Sequence, residues 1–481
     1  MAATILPTPK LLRPEEGTVS LLLTVTTDYA PWKEYVSTLR ASLEKIHEVE
    51  IQEGEGGVLL HYDQTLAKGH YTLCADHGVT LSASDEEGIL YAVATALQCL
   101  SVKRDSLVCD KVYVEDHPDK SYRALMVDLA REWHAPYTIH KFIDVCFMLK
   151  VKYLHLHFID DQRYTLPSHV LPKLNDRCRH YTFEQIEEMR AYAHARGIVI
   201  IPEFEAPGHA RFMVESYPEI FANHMESGSD ATLVTENGDV IDAGNILCAG
   251  SKQCEEAIRL LLKEICDMFP DSPYIHIGGD EANIKAWNSC SLCTQYMKEH
   301  EIDGVYDLYS EFVGRVAQMV LDLGRTPIVW EGFPKQGAWR VPKETVVIAW
   351  ESHYHLAQDL LDAGFKIING SWKPLYIVPS YKHGRWATEE ILAWNVYNWQ
   401  HWWVNSEATL NPIHVAPTDQ LLGAQLSSWE CSYEQEISRV MENLSALSER
   451  TWNLRRYWTD LEFHHRMAAT MRKICRLIQD V

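Results

Sequence analysis

Hydrophobic and polar positions divide the chain into two textures. In residues 1–118, short β-like runs (Ser20–Thr26, Gly57–His61, Val79–Ser84) mix with two helical stretches. One is Pro31–Ile46. The other is Glu86–Leu100, where Ile89, Ala92, Ala96 and Leu97 share a face at the helical period. This pattern predicts a small α/β domain, closed by a polar linker, Glu115-Asp116-His117-Pro118-Asp119. From Tyr122 a β-then-α rhythm begins. The apolar runs are Ala124–Leu129, Tyr153–Phe158, Ile198–Phe204, Tyr274–Ile277, Thr326–Trp330, Val346–Trp350, Phe365–Asn369 and Leu421–Ser427. Helical segments are expected at Ile139–Leu149, Thr182–Ala195, Glu255–Met268, Val305–Leu323, Leu356–Ala363 and Glu436–Thr451. Thr182 with Gln185 three residues on gives a capping-box start.

Eight strands alternating with helices fit an α/β chain whose main part, residues 119–455, is a (β/α)8 TIM barrel. The α/β domain of residues 1–118 precedes it, and a C-terminal helix in 456–481 is expected to pack on the barrel. A doubly wound sheet is the alternative. Polar residues decide between them, because they cluster just after strand after strand: Arg131, Asp160-Asp161, Glu205 and His209, Asp280-Glu281, Glu331, Glu351 and Glu430. Convergence of strand ends from all along the sequence is what a barrel mouth needs.

Composition narrows the partners. Acidic residues outnumber basic ones 67 to 44, for a net charge of −23. Phosphate binding wants a basic face, so nucleic acid is disfavoured. No apolar run reaches the ~20 residues of a spanning helix. The start shows no basic region followed by an apolar one, which reads as cytoplasmic. The 12 cysteines are scattered, as reduced core thiols are. Cys290 and Cys293 form a lone C-x-x-C with no further ligands at knuckle-like spacing, so the pair is taken as incidental. No metal and no cofactor are expected, and the protomer is expected as a monomer or homodimer.

The sharpest chemical feature is Tyr274-Ile-His276-Ile-Gly278-Gly279-Asp280-Glu281, an apolar strand running into two glycines and two adjacent carboxylates. Neighbours on a regular strand face opposite ways, and the glycines let the backbone leave the pleat so that both acids can face one pocket. Close carboxylates oppose each other's ionisation, which leaves one able to act as an acid. The plain alternative is a surface turn. Two further acid-and-histidine clusters close β-like runs: His155-Leu-His157-Phe-Ile-Asp160-Asp161-Gln162 and Ile201-Pro-Glu203-Phe-Glu205-Ala-Pro-Gly208-His209.

These motifs resemble glycoside hydrolase family 20. His276 to Glu281 match its His-x-Gly-Gly-Asp-Glu signature at every fixed position. Ser121–Arg131 is similar to its first-strand motif, and Tyr153–Gln162 to its Leu-His-Leu-His-x-x-Asp-Asp-Gln stretch. Ile201–His209 is similar to its Ile-Pro-Glu-x-Asp-x-Pro-Gly-His, with Glu205 where Asp is commoner. The likeness extends from about residue 5 to 455. It implies an exo-acting β-N-acetylhexosaminidase that removes a terminal N-acetylhexosamine from oligosaccharides or glycoconjugates. It further implies substrate-assisted catalysis, in which the sugar's acetamido carbonyl attacks the anomeric carbon and gives an oxazolinium. In this reading Glu281 is the general acid and base, with a raised pKa, and Asp280 holds the acetamido N–H. Tyr376 donates to the acetamido oxygen. Arg123 holds the outer hydroxyls, Asp160 and His209 orient the acids, and His276 packs behind them. Trp330, Trp350 and Trp429 form the aromatic wall, with Glu430 beside it.

The sequence departs from the family after Gln162, where Arg163-Tyr164-Thr165 stands for Gly-Trp-Arg, and at Val378, where Asp or Asn is usual. A relaxed preference for GlcNAc and GalNAc is therefore expected. Two other readings stay open at this point. One is a metal-dependent barrel hydrolase using His155, His157, His209, His276 and Asp280. The other is a non-catalytic glycan-binding protein on the same scaffold.

Overall fold

The computed structural model describes residues 4–225, 233–234, 240–241, 243–379 and 386–479. Its first sheet is built around two 11-residue strands, Leu11–Leu21 and Ser106–Asp116, paired antiparallel. Tyr71–Ala75, Val79–Ala83, Val58–Tyr62 and Thr24–Thr27 follow in spatial order. Helices Lys33–His47 and Glu86–Cys99 cover one face. The long pair is absent from the sequence reading for a physical reason. In Ser106–Asp116 the buried positions are Leu107 and Cys109, then Val112, Val114 and Asp116, so the alternation changes phase midway. The register shifts at that point, between Pro14 and Thr18 of the partner strand.

The supposed linker is corrected by the same strand, which runs through Glu115 and Asp116. Asp116 is fully buried. Its carboxylate accepts hydrogen bonds from the Tyr71 hydroxyl (2.7 Å), Lys150 Nζ (3.3 Å), Trp452 Nε1 (2.8 Å) and the Lys10 N–H (3.0 Å). A polar residue at the domain junction is thus the node that joins both domains.

In the second sheet eight parallel strands close a barrel: Tyr122–Asp128, Tyr153–His157, Val199–Glu203, Tyr274–His276, Thr326–Trp330, Val346–Ala349, Lys366–Asn369 and Leu421–Ser428, with the short Tyr376–Ile377 paired beside the last. The last pairs with the first and with the seventh. Helices Pro136–Met148, Phe183–His194, Lys252–Met268, Gly304–Asp322, Ala357–Asp362 and Tyr433–Trp452 surround it. Thr182 and Gln185 form the expected capping box.

Side chains fill the barrel. Tyr122, Tyr153 and Tyr274 plug its floor, with ring centroids 4.9 Å apart for Tyr122–Tyr153 and 5.7 Å for Tyr153–Tyr274. Ile201, Ile328, Ile348, Ile368, Trp330, Trp350 and Tyr376 continue the apolar interior towards the mouth. The C-terminal helix, Asp460–Ile478, does more than pack on the barrel. It bridges Pro136–Met148 to both helices of the first domain. No helix among the described residues is long and apolar enough to cross a membrane.

Candidate active site

Strand parity decides which side chains reach the mouth. Successive residues alternate faces, so His155 and His157 point into the barrel together. Between them and the neighbouring strands lies Glu203, fully buried. Its carboxylate is 2.5 Å from His157 Nδ1, 3.1 Å from His155 Nε2 and 2.8 Å from His276 Nδ1, and it accepts the Trp330 indole N–H at 2.6 Å. Burial alone would raise the Glu203 pKa, but these histidines hold it well below the usual range. Burial likewise disfavours a charged His157, yet Glu203 and Asp160 push its pKa up to about 10. The five residues that could be written as one metal-ligand set therefore separate into different clusters, with His155, His157 and His276 committed to the Glu203 core.

Above this layer lies Asp160. Its carboxylate is 3.0 Å from His157 Nε2, 2.5 Å from an Arg131 nitrogen and 3.4 Å from His209 Nδ1. Burial opposes its charge, but Arg131 and His209 outweigh it and hold the carboxyl well below the ordinary range. His209 carries the relay to the acid pair. Its Nε2 is 3.5 Å from a Glu281 oxygen and 3.9 Å from an Asp280 oxygen. Although burial disfavours the imidazolium, Asp160, Glu281 and Asp280 raise the His209 pKa well above normal.

Asp280 and Glu281 leave the fourth strand through Gly278 and Gly279, with φ of 68° and 97°. At the φ of Gly278 any side chain would be strained, and its Cβ would also stand 2.0 Å from Glu205 Oε2 and displace that carboxylate. Glu281 itself has φ 40° and His209 φ 50°, strained values of the kind that collect at functional sites. The Asp280 carboxyl is pushed up to about 7, by burial first and then by Glu281 and Glu203, against the pull of His209. Glu281 behaves oppositely. Desolvation raises it, but the hydrogen bond and charge of His209, with Arg131, leave it below its ordinary value. Of the pair it is Asp280 that burial raises, while His209, which lies nearer Glu281, holds Glu281 down; the sequence reading expects the raised carboxyl at Glu281. Asp280 Oδ1 is buried with no hydrogen-bond partner among the described residues.

An aromatic wall stands opposite. Trp330 lies 6.3 Å from Trp350 and 5.7 Å from Trp429 between ring centroids, and Tyr376 lies parallel to Trp350 at 6.2 Å. Glu331 fixes part of this wall. Its carboxylate accepts the backbone N–H groups of Trp350, Ser352, His353, Tyr354 and His355, and so shapes the whole turn after the sixth strand. Glu430 lies beside Arg131, whose pKa its charge helps to raise, and its N–H donates to Asp128 at 3.3 Å.

Arg123 is corrected. On the first strand Tyr122 and Ala124 face the barrel interior, so Arg123 faces outward at the amino end. It donates to the carbonyls of Lys150 (3.0 Å) and Lys120 (2.5 Å) and to the Tyr91 hydroxyl, and it stacks near Trp452. The guanidinium at the mouth is that of Arg131, held by Asp128 at 3.1 Å and Asp160 at 2.5 Å and lying 5.2 Å over Trp429. Its place after the strand was visible in the sequence. The sequence reading placed Glu351 at the mouth without giving it a role; it is buried near the acid pair. Burial and the charges of Glu281, Glu331 and Asp280 push its carboxyl well up. Trp372 and Trp402 extend the wall, Trp372 stacking on Tyr376 at 4.5 Å and Trp402 edge-on to Trp372 at 5.5 Å. Trp399, by contrast, is wholly buried structure, its N–H bound to the Ala349 carbonyl.

Fold and site together define a (β/α)8-barrel protein with a histidine-linked carboxylate pair beneath an aromatic wall. The profile "Glycosyl hydrolase family 20, catalytic domain" matches residues 121–455, and "Glycosyl hydrolase family 20, domain 2" matches residues 2–117. The chain belongs to glycosyl hydrolase family 20. A β-hexosaminidase of Vibrio furnissii is 28% identical over 337 residues, covering 66% of this chain and 54% of that protein. The chain thus spans about half the length of that relative. A β-N-acetylhexosaminidase of Cellulomonas fimi is 25% identical, covering 93% of this chain and 89% of that protein. Among solved structures, an exo β-N-acetylglucosaminidase of Vibrio harveyi in complex with N-acetylglucosamine superposes with a TM-score of 0.84 at 21% identity. That match covers 99% of this chain and 78% of that one.

Proposed function

We propose that this protein is an exo-acting β-N-acetylhexosaminidase that works by substrate-assisted, retaining catalysis. The observation that carries this reading is the pairing of Asp280 and Glu281 through His209, with a buried Asp280 oxygen left unpartnered under the aromatic wall. Asp280 Oδ1 accepts the acetamido N–H and, once ionised, stabilises the positive charge that develops as the acetamido oxygen attacks C1. The Tyr376 hydroxyl donates to that oxygen. Trp330, Trp350 and Trp429 enclose the methyl and the apolar sugar face. Glu281, whose side chain is 47% exposed, faces the leaving group. It protonates the glycosidic oxygen and then takes a proton from the water that opens the oxazolinium.

Asp160 and His209 hold the pair in place, and Arg131 with Glu430 and Glu351 meets the outer hydroxyls. The apolar Val378 beside Tyr376 supports acceptance of both GlcNAc and GalNAc. A cytoplasmic site of action accords with the cysteines, all free among the described residues.

A series of nitrophenyl N-acyl-β-glucosaminides with increasingly fluorinated acyl groups tests the mechanism. Fluorination weakens the amide oxygen as a nucleophile, so kcat/KM is expected to fall steeply along the series. A flat series would remove the assisted mechanism, and no nitrophenol release at all would remove the activity.

A further inference from the structure

Three cysteines meet behind the catalytic loops. Cys248 lies on the connection after the third barrel strand, the one that carries Glu205 and His209. Cys290 and Cys293 lie on the connection after the fourth, which carries Asp280 and Glu281. Cys248 Sγ is 3.6 Å from Cys290 Sγ and 3.8 Å from Cys293 Sγ, and the three sulfurs lie within 4.8 Å of one another. All three are buried. A disulfide would hold two sulfurs at about 2.05 Å. Thiolates about 2.3 Å from a tetrahedral zinc ion stand about 3.8 Å apart, the spacing of this triangle.

The backbone around the triangle is built to match. The His224 N–H donates to Cys290 Sγ at 3.3 Å, while Cys293 Sγ lies 3.8 Å from Asn223 Oδ1, to which its thiol donates before any metal binds. The N–H donor on Cys290 is of the kind that supports metal-bound sulfur. The two connections touch directly, since a Cβ on Gly250 would come 2.3 Å from the Leu292 carbonyl oxygen. The isolated C-x-x-C of the sequence thus gains its third member from 42 residues upstream of Cys290, outside any knuckle spacing.

We propose that Cys248, Cys290 and Cys293 bind one zinc ion as thiolates, with the imidazole of His224 as fourth ligand. His224 is exposed and its backbone N–H already meets Cys290 Sγ, so binding would require only its side chain to turn onto the ion. Each thiol releases its proton to solvent on binding. A closed four-ligand site of this kind is structural. The ion ties the His209 loop to the Asp280-Glu281 loop and acts on catalysis only through their positions.

The test measures zinc in the full chain, purified without chelator and freed of any metal-binding tag. One zinc per chain is expected. Cobalt reconstitution should give sulfur-to-cobalt charge-transfer bands in the near ultraviolet and tetrahedral bands in the visible. Cys248→Ser and Cys293→Ser should lose zinc and the charge-transfer bands. His224→Ala should keep the charge-transfer bands but bind zinc more weakly. Zinc removal should lower the unfolding temperature and kcat, with KM little changed. Wild-type protein that takes up no zinc, or that shows a disulfide among these residues by mass spectrometry, would overturn the proposal. Unaltered zinc affinity in His224→Ala would overturn the fourth ligand.

Discussion

Asp280 and Glu281 titrate as one unit under the charge of His209, so their pH behaviour belongs to the pair. In the proposed mechanism the productive state carries one proton on the pair, with Glu281 protonated and Asp280 ionised. Since the raised carboxyl loses its proton near pH 7, kcat/KM is expected to fall as pH rises through about 7. In Asp280→Asn the remaining carboxyl is Glu281, held below its ordinary value by His209. The alkaline limb of the residual activity should then move to lower pH, and turnover should drop while circular dichroism stays unchanged. An alkaline limb still near 7 would assign that proton elsewhere. Glu281→Gln should cost about 10²–10⁴-fold in kcat on unactivated glycosides and less with good leaving groups. Arg131→Lys should raise KM, because a lysine cannot serve Asp128 and Asp160 at once. Arg123→Lys should instead affect thermal stability and leave KM near wild type. A KM effect from position 123 would contradict its outward-facing place.

At the scale of elements, Glu331 shows how one buried carboxylate shapes a loop. Five backbone N–H groups converge on it. Glu331→Gln turns an amide NH₂ towards some of these donors, which costs about 1–3 kcal/mol. The loss should appear as a lower unfolding midpoint together with a raised KM, since Trp350 stands on this turn. All eight barrel strands were legible, because strands buried on both sides read as unbroken apolar runs. The acid-and-histidine clusters were legible because polar residues stop those runs abruptly. Arg123 misled because it lies in the same motif as Arg131, and only the parity of Tyr122 and Ala124 separates outward from mouth-facing. Cys248 was invisible, since no local spacing links it to Cys290 and Cys293. Leu11–Leu21 was missed because its middle is exposed and charged, leaving little alternation to read.

Across the whole molecule, the Asp116 node couples sheet, barrel and C-terminal region. Its carboxylate and Lys150 are both wholly buried, and breaking such a pair costs about 3–5 kcal/mol. Asp116→Asn should therefore lower the denaturant midpoint strongly. Replacing both partners with apolar residues of similar size should recover much of the loss. A mild effect from Asp116→Asn would place the strength of the junction elsewhere.

The bridge made by Asp460–Ile478 has a consequence for synthesis. Gln98 accepts from Thr470, Lys473 caps the carbonyls of Leu97, Gln98 and Leu100, and Arg466 reaches Thr8. A segment made early is thus secured by one made several hundred residues later. A nascent chain that has not reached residue 460 leaves the apolar faces of Lys33–His47 and Glu86–Cys99 uncovered there, and they close only once Asp460–Ile478 has been made.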